Sequence, residues 1–130
     1  MQLEMGDWLA ALDVFVLASG PEESFGNAAV EAMAAGLPTI VFSDSPALAE
    51  HVVDRETGFV VGTPRELTER LQELIDDRTL RERVGAAAAG FAVSRYSMER
   101  VVDRFDGVYA SARQARVGSL CRDRTQRCGT

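Results

Sequence analysis

Residues 23–36 read Glu-Ser-Phe-Gly-Asn-Ala-Ala-Val-Glu-Ala-Met-Ala-Ala-Gly, and this stretch organises the chain around it. A short apolar run, residues 13–19, precedes it, and a second run, residues 37–42, follows it. Short apolar runs bounded by Gly and Pro are typical of buried strands, whereas the alanine-rich run between them is typical of a helix. The order strand, loop, helix, strand predicts an α/β fold with a parallel sheet.

The central helix has recognisable signals at both ends. Ser24 or Asn27 can cap its start, and Gly36, with a proline two residues later, ends it. Glu23 is therefore expected in the loop before the helix, and Glu31 about one turn into it.

The start of this helix is expected to bind an anion. In open α/β sheets the carboxyl ends of the strands form the edge that binds ligands. Backbone N–H groups of Gly26, Asn27 and Ala28 would point into that edge, where the helix dipole favours phosphate. Gly26 lacks a side chain, so an anion can approach the backbone closely. The two carboxylates, Glu23 and Glu31, would face the same crevice.

The remaining elements follow from apolar residues at strand or helix spacing. Strands are predicted at residues 14–18, 39–42 and 59–61. Three further helices are predicted at residues 64–75, 79–91 and 97–112. Thr63 is the expected cap of the first of these helices, and the apolar stripes of all three are interpreted as core packing.

The ordered motifs resemble a known family. Glu23-x7-Glu31, with Phe25-Gly26 between the carboxylates, is similar to the E-x7-E signature of retaining, nucleotide-sugar-dependent glycosyltransferases of family 4, which have the GT-B fold. Glu50 matches a recurrent Glu one helix later, and Thr-Gly-Phe-Val-Val at residues 57–61 matches a strand motif. The resemblance covers roughly residues 7–105. It implies a partial Rossmann-like domain at residues 1–112, equivalent to the C-terminal, nucleotide-sugar-binding domain of such an enzyme, with a parallel sheet flanked by helices.

The resemblance also implies residue roles. Glu31 would accept hydrogen bonds from the two ribose hydroxyls of a sugar nucleotide, and Glu23 would act as the catalytic carboxylate that contacts the transferred sugar. The backbone amides implied to bind diphosphate or sugar oxygens are those of Phe25, Gly26, Asn27 and Ala28.

The implied partners are a nucleotide-diphosphate sugar donor and a saccharide, lipid or small-molecule acceptor, without a metal or other cofactor. The family supplies an Arg and a Lys, spaced R-x4-K, to the diphosphate, but this chain has no lysine and its 14 basic residues are all Arg. The expectation is a C-terminal fragment that is inactive alone and depends on an N-terminal GT-B domain or on a homo-oligomer.

Other interpretations remain open at this point. The chain could be a non-catalytic nucleotide-sugar-binding or interaction module, or a truncated product that does not fold alone. Taken singly, Glu23 is an ordinary solvated loop charge. Glu31 sits among alanines and Met33, so its helix is expected to be buried all round and the carboxylate to need a partner. His51, the only histidine, is interpreted as a surface residue.

Composition excludes several classes of function. The net charge of −6 argues against nucleic-acid binding by the body of the chain. Residues 113–130 carry five Arg, one Asp and both cysteines, Cys121 and Cys128, and are predicted to form a basic, disordered tail with neither a metal site nor a redox motif. No signal peptide or membrane span is recognisable. The expected location is the cytoplasm, with peripheral membrane association left open.

Overall fold

The computed structural model describes the backbone of residues 5–127 and the side chains of residues 5–113. The chain divides into two compact units, Met1–Arg95 and Tyr96–Thr130. The strands of the first unit are β1 (Phe15–Leu17), β2 (Thr39–Phe42) and β3 (Gly58–Val61). The helices are α1 (Met5–Ala10), α2 (Asn27–Ala34), α3 (Pro46–Ala49), α4 (Pro64–Asp76) and α5 (Arg78–Tyr96), followed by α6 (Met98–Arg127) in the second unit.

The three strands form one parallel sheet in the order β1-β2-β3. Ile40 of the central strand pairs with Val16 on one side and with Phe59 on the other. The predicted α/β class, with a parallel sheet and helices between the strands, is therefore confirmed.

Helices cover both faces of the sheet, as a parallel sheet requires. Successive side chains of a strand point to opposite faces, so neighbouring residues of β2 enter different clusters. Val41 packs with Met33 of α2, Leu48 of α3 and Ala88 of α5. On the other face, Ile40 packs with Phe59, Leu74 and Val84.

The end of α2 is fixed by Gly36, as predicted. Gly36 has a φ of 82°, a left-handed conformation that glycine adopts without steric cost. Its N–H donates to the carbonyl of Met33 at 2.9 Å, and the N–H of Leu37 donates to the carbonyl of Ala32 at 3.1 Å. These two bonds define a Schellman motif, which ends the helix and directs the chain into β2.

Thr63 caps α4, also as predicted. Its Oγ1 accepts from the N–H of Glu66 at 3.2 Å, while Glu66 Oε2 accepts from the N–H of Gly62 at 2.8 Å. The first bond satisfies a donor that the first turn of the helix leaves without a partner, and the second ties the residue before the cap to that turn.

The last two helices differ from their predictions. Helix α5 runs to Tyr96 rather than to residue 91. The stripe of α6 was interpreted as core, and that is wrong, because Phe105 is 59% exposed and Val108 is 65% exposed. Among the described residues of the second unit there is no second element for the stripe to pack against. The predicted boundary at residue 113 and the disorder of the tail remain predictions, since Cys121, Cys128 and the other side chains beyond residue 113 lie outside the described residues.

Candidate functional site

The loop between β1 and α2 lies at the carboxyl end of the first strand, as predicted. Ser24 and Asn27 were the predicted caps of α2, and that is wrong, because the N-cap is Gly26, with φ 78° and ψ 48° and no side-chain cap bond. A Cβ atom at this position would lie 2.1 Å from Cδ2 of Leu48. A residue without a side chain is thus what allows the loop to pack against α3 and to present its backbone at this edge.

The Glu23 carboxylate turns back onto the loop that contains it. Its Oε1 accepts from the N–H groups of Ser24 at 3.1 Å, Phe25 at 3.3 Å and Gly26 at 3.1 Å. The hydrogen bond from Phe25 lowers the pKa of Glu23 below its ordinary value most strongly, with further bonds from Gly26, Ser24 and the hydroxyl of Ser19 acting in the same direction. Two of the amides predicted to bind a foreign anion, those of Phe25 and Gly26, therefore already bind a carboxylate from within the chain.

This arrangement predicts the titration of Glu23. Amide donors favour the charged carboxylate, so we expect a side-chain carboxyl resonance of Glu23 to titrate below the ordinary value of 4.5. Because the folded-state pKa is lowered, the stabilisation is present above the unfolded pKa and is lost as the pH falls through the folded value. A carbon-detected NMR titration measures it. A peptide with the sequence of residues 20–28 is the control, and an equal midpoint in peptide and protein would contradict the expectation.

Asn27 and Ala28, the next two predicted amides, begin α2 and are exposed. Their N–H groups belong to the first turn, which has no intrahelical acceptors. The positive end of the helix dipole adds to the attraction for an anion. Asn27 and Ala28 are thus the predicted donors that Glu23 does not occupy.

Glu31 is exposed, which corrects the expectation of a helix buried all round. Only one side of α2 is buried, through Ala29, Ala32 and Met33. Glu31 lies four residues after Asn27 and three after Ala28, so it shares their face of the helix. The structure thus places the second carboxylate on the solvent side of α2, just beyond the first turn and about 6 Å along the axis from Asn27.

His51 was interpreted as a surface residue, and that is wrong. It is 4% exposed, and its Nε2 lies 2.6 Å from the carbonyl oxygen of Phe25. The two rings are 4.6 Å apart at an angle of 61°. No sequence signal could identify this contact, because the two residues are 26 positions apart and a lone histidine has no periodic pattern.

Glu50, the recurrent acidic residue of the resemblance, lies at the end of α3. Its Oε1 forms an ion pair with Arg95 at 3.0 Å, and its side chain is 69% exposed. An exposed pair of this kind contributes little to stability.

A cavity lies at the opposite edge of the sheet, where the strands begin. It has a volume of about 440 Å³ and lies beside Asp13 and Pro38, which precede β1 and β2. Arg78, Arg81 and Glu82 complete its polar wall. Its two arginines are already engaged, Arg78 with Glu82 at 2.8 Å and Arg81 with the carbonyls at the end of α4. In residues 5–127, no helix is long and apolar enough to cross a membrane.

The chain is similar in sequence to a known protein family. Residues 3–91 match the family model described as "Glycosyl transferases group 1". A similar relative is the D-inositol 3-phosphate glycosyltransferase of Streptomyces avermitilis, which is 36% identical over 116 residues. That match covers 88% of this chain but 24% of the relative, so the chain spans about a quarter of the length of such enzymes.

Solved structures show the same fold. The C-terminal domain of the glycosyl transferase group 1 family protein LpcC from Francisella tularensis is 32% identical, with a TM-score of 0.63 over 70% of this chain and 47% of that one. HepE of Anabaena in complex with UDP-glucose is 24% identical, with a TM-score of 0.73 over 80% of this chain and 29% of that one. These enzymes have the GT-B fold, so the sheet and its helices match a GT-B C-terminal, Rossmann-like domain.

Proposed function

The chain belongs to the glycosyl transferases group 1 family, and from that premise we propose that it is the donor-binding part of a glycosyltransferase. The enzyme would transfer a hexose from a nucleotide-diphosphate sugar to a saccharide, lipid or small-molecule acceptor, with retention of configuration. As in the family 4 signature, Glu23 and Glu31 would be the two carboxylates of E-x7-E. The acceptor and the remaining phosphate contacts would come from outside this chain, so the chain alone would bind the donor without transferring its sugar.

One observation carries this proposal, namely the set of amides at the start of α2 that already binds a carboxylate. Three N–H groups converge on Glu23 Oε1, and an oxygen anion that accepts several amide bonds is the chemistry of a phosphate oxygen. The diphosphate of a donor would take this place and would also reach the amides of Asn27 and Ala28. Glu31, exposed on the same helix face, would then accept hydrogen bonds from the ribose hydroxyls.

The same contacts suggest how transfer proceeds. Diphosphate displaces the Glu23 carboxylate from the amides, and the freed side chain turns to the transferred sugar, where its charge stabilises an oxocarbenium-like transition state. The bond from the anomeric carbon to the diphosphate oxygen breaks, and the acceptor oxygen bonds to the same face of the sugar. The acceptor's proton passes to the departing diphosphate, whose charge the amides stabilise as it develops.

A direct consequence is that Glu23 competes with the donor's phosphates. We expect Glu23→Ala to tighten the binding of UDP, which has no sugar for Glu23 to contact, by about 3- to 10-fold, because the amides are then free and a nearby negative charge is gone. Isothermal titration measures this affinity. Glu22→Ala is the matched control, since it removes the neighbouring exposed carboxylate without freeing an amide. Equal or weaker UDP binding by Glu23→Ala would contradict the exchange.

Donor binding itself is tested by thermal melts of the purified chain with UDP-, GDP- and ADP-sugars. UDP is the first probe because HepE was crystallised with UDP-glucose. A ligand that binds only the native state at 100 times its dissociation constant stabilises it by about 2.7 kcal/mol. A cooperative melt raised by one nucleotide class would support the proposal and identify the donor. A cooperative melt that no nucleotide sugar moves would contradict it.

The alternative, a non-catalytic nucleotide-sugar-binding module, is favoured by one observation, the absence of lysine for an R-x4-K clamp. A substitution of Glu23 distinguishes a transferase from a non-catalytic binding module. In an enzyme reconstituted with an N-terminal GT-B domain, Glu23→Gln would abolish transfer while leaving donor binding in place. Transfer that survives this change would refute the catalytic role, and a reconstituted native enzyme that binds donor without transferring sugar would favour the module.

A further inference from the structure

His51 makes a directed hydrogen bond to the loop that holds the amide donors. Its Nε2 is 2.6 Å from the carbonyl oxygen of Phe25. A carbonyl oxygen can only accept, so Nε2 carries the hydrogen and donates it. The ring is also packed edge-on against the Phe25 ring, with 4.6 Å between their centres, and the residue is 4% exposed. The contact with the loop thus requires a hydrogen on Nε2 and orients the imidazole toward the Phe25 carbonyl.

The bond acts on the peptide group that supplies one of the amide donors. The carbonyl of Phe25 and the N–H of Gly26 belong to the same planar trans peptide and point in opposite directions. On one side the carbonyl meets His51, and on the other the Gly26 N–H donates to Glu23 Oε1 at 3.1 Å. Holding the carbonyl therefore fixes the direction of the N–H.

Gly26 itself cannot fix that direction. A rotation of the peptide plane changes φ of the residue that follows it, and glycine populates both signs of φ about equally well. The observed φ of 78° lies in the left-handed region, one of the two signs of φ that glycine populates readily. A donor placed on the Phe25 carbonyl selects the state in which the N–H faces the anion, and it also polarises that N–H, which strengthens the bond it donates.

We propose that His51 is a positioning residue of the anion site, which holds the Phe25–Gly26 peptide so that the Gly26 N–H faces the donor diphosphate. The proposal rests on the proposed function, in which that diphosphate replaces the Glu23 carboxylate. His51 acts from the segment after α3 and touches the loop, not the donor.

Three variants test the geometry. His51→Phe keeps a ring and loses the donor, His51→Gln keeps an amide N–H close to the position of Nε2, and His51→Asn keeps the amide but shortens its reach. We expect the Phe and Asn variants to bind UDP about 10- to 100-fold more weakly than the native chain, the loss of one hydrogen bond to a charged group. The Gln variant should stay within about threefold of native. Thermal melts identify the variants that fold.

A second readout needs no nucleotide. The pKa of Glu23 is lowered first by the Phe25 amide and then by those of Gly26 and Ser24, so turning the Gly26 N–H away should raise it. Carbon-detected titration should find a higher Glu23 pKa in His51→Phe and His51→Asn and a native value in His51→Gln. A merely structural role would lower the melting temperature of all three variants without this rescue.

The outcomes distinguish the positioning role of His51 from the proposed binding of a nucleotide sugar. Weaker UDP binding and a raised Glu23 pKa in the Phe and Asn variants, both restored in Gln, support the proposal. Equal behaviour of the three variants, whether native-like or uniformly impaired, overturns it. If the native chain binds no UDP, the proposed function fails, and the Glu23 pKa series alone decides the role of His51 in the loop. If His51→Phe does not fold, the comparison of Gln with Asn decides it.

Discussion

Glu31→Ala is expected to remove the nucleotide-sugar affinity of this chain. The exposed carboxylate lies on the same face of α2 as Asn27 and Ala28, whose N–H groups have no intrahelical acceptor, and there it would accept from both ribose hydroxyls. A hydrogen bond to a charged group contributes about 1.5–3 kcal/mol, so the loss of two weakens binding by at least about 100-fold. Isothermal titration with the nucleotide sugar that stabilises the native chain measures the loss.

Two variants make the Glu31 result specific. Glu82→Ala removes one exposed negative charge at the opposite edge of the sheet and should leave binding unchanged. Glu31→Gln keeps one acceptor oxygen and should bind with intermediate affinity. Since Glu31 is exposed, neither Glu31 variant should melt much below the native chain. Unchanged titration heats in Glu31→Ala would refute its contact with the donor.

Gly26→Ala is expected to be the most destabilising single change in the loop. Forcing an alanine into a left-handed conformation costs about 1–2 kcal/mol. The new Cβ would also lie 2.1 Å from Leu48 Cδ2 in the core, and overpacking of this kind costs about 1–3 kcal/mol more. The sum is a large part of the stability of an ordinary domain, which is about 5–15 kcal/mol. A denaturant melt monitored by circular dichroism measures it.

The control for Gly26→Ala is Gly90→Ala, a change that is expected to raise the stability of the chain. Gly90 lies inside α5 with nothing within 4 Å of an added Cβ, so Gly90→Ala should stabilise the chain by about 0.5–1 kcal/mol. A double-mutant cycle with Leu48→Ala separates the steric clash from the backbone penalty of Gly26→Ala. In the Leu48→Ala background the clash is absent, so only the backbone penalty of about 1–2 kcal/mol should remain. A Gly26→Ala variant as stable as the native chain would rule out the loop geometry.

The elements that local chemistry specifies were predictable from the sequence. The strand that follows α2 was recognised from an apolar run after Gly36, and the start of α4 from Thr63, because each signal lies within a few residues of the bond it makes. The fold class followed from the alternation of strands and helices. The loop with Glu23 was also found where it was predicted, between β1 and α2 at the carboxyl end of the first strand.

The sequence could not predict contacts between residues far apart in the chain, or whether another element covers an apolar helix face. The burial of His51 depends on Phe25, 26 positions away. An apolar stripe identifies one face of a helix but not whether anything covers it, which is why Phe105 and Val108 were wrongly assigned to a core. The turn of Glu23 onto its own loop was missed for another reason, since a charge in a polar loop was expected to face either solvent or substrate.

The central claim is that the amides at the start of α2 bind the diphosphate of a nucleotide sugar. An amide-resolved NMR titration of the isotope-labelled chain with UDP-, GDP- and ADP-sugars tests it most directly. We expect saturable shifts, with one nucleotide class, of the amide resonances of Ser24, Phe25, Gly26, Asn27 and Ala28. Shifts confined to the residues around the cavity beside Pro38 and Arg78, or no saturable shift with any of the three, would contradict the claim.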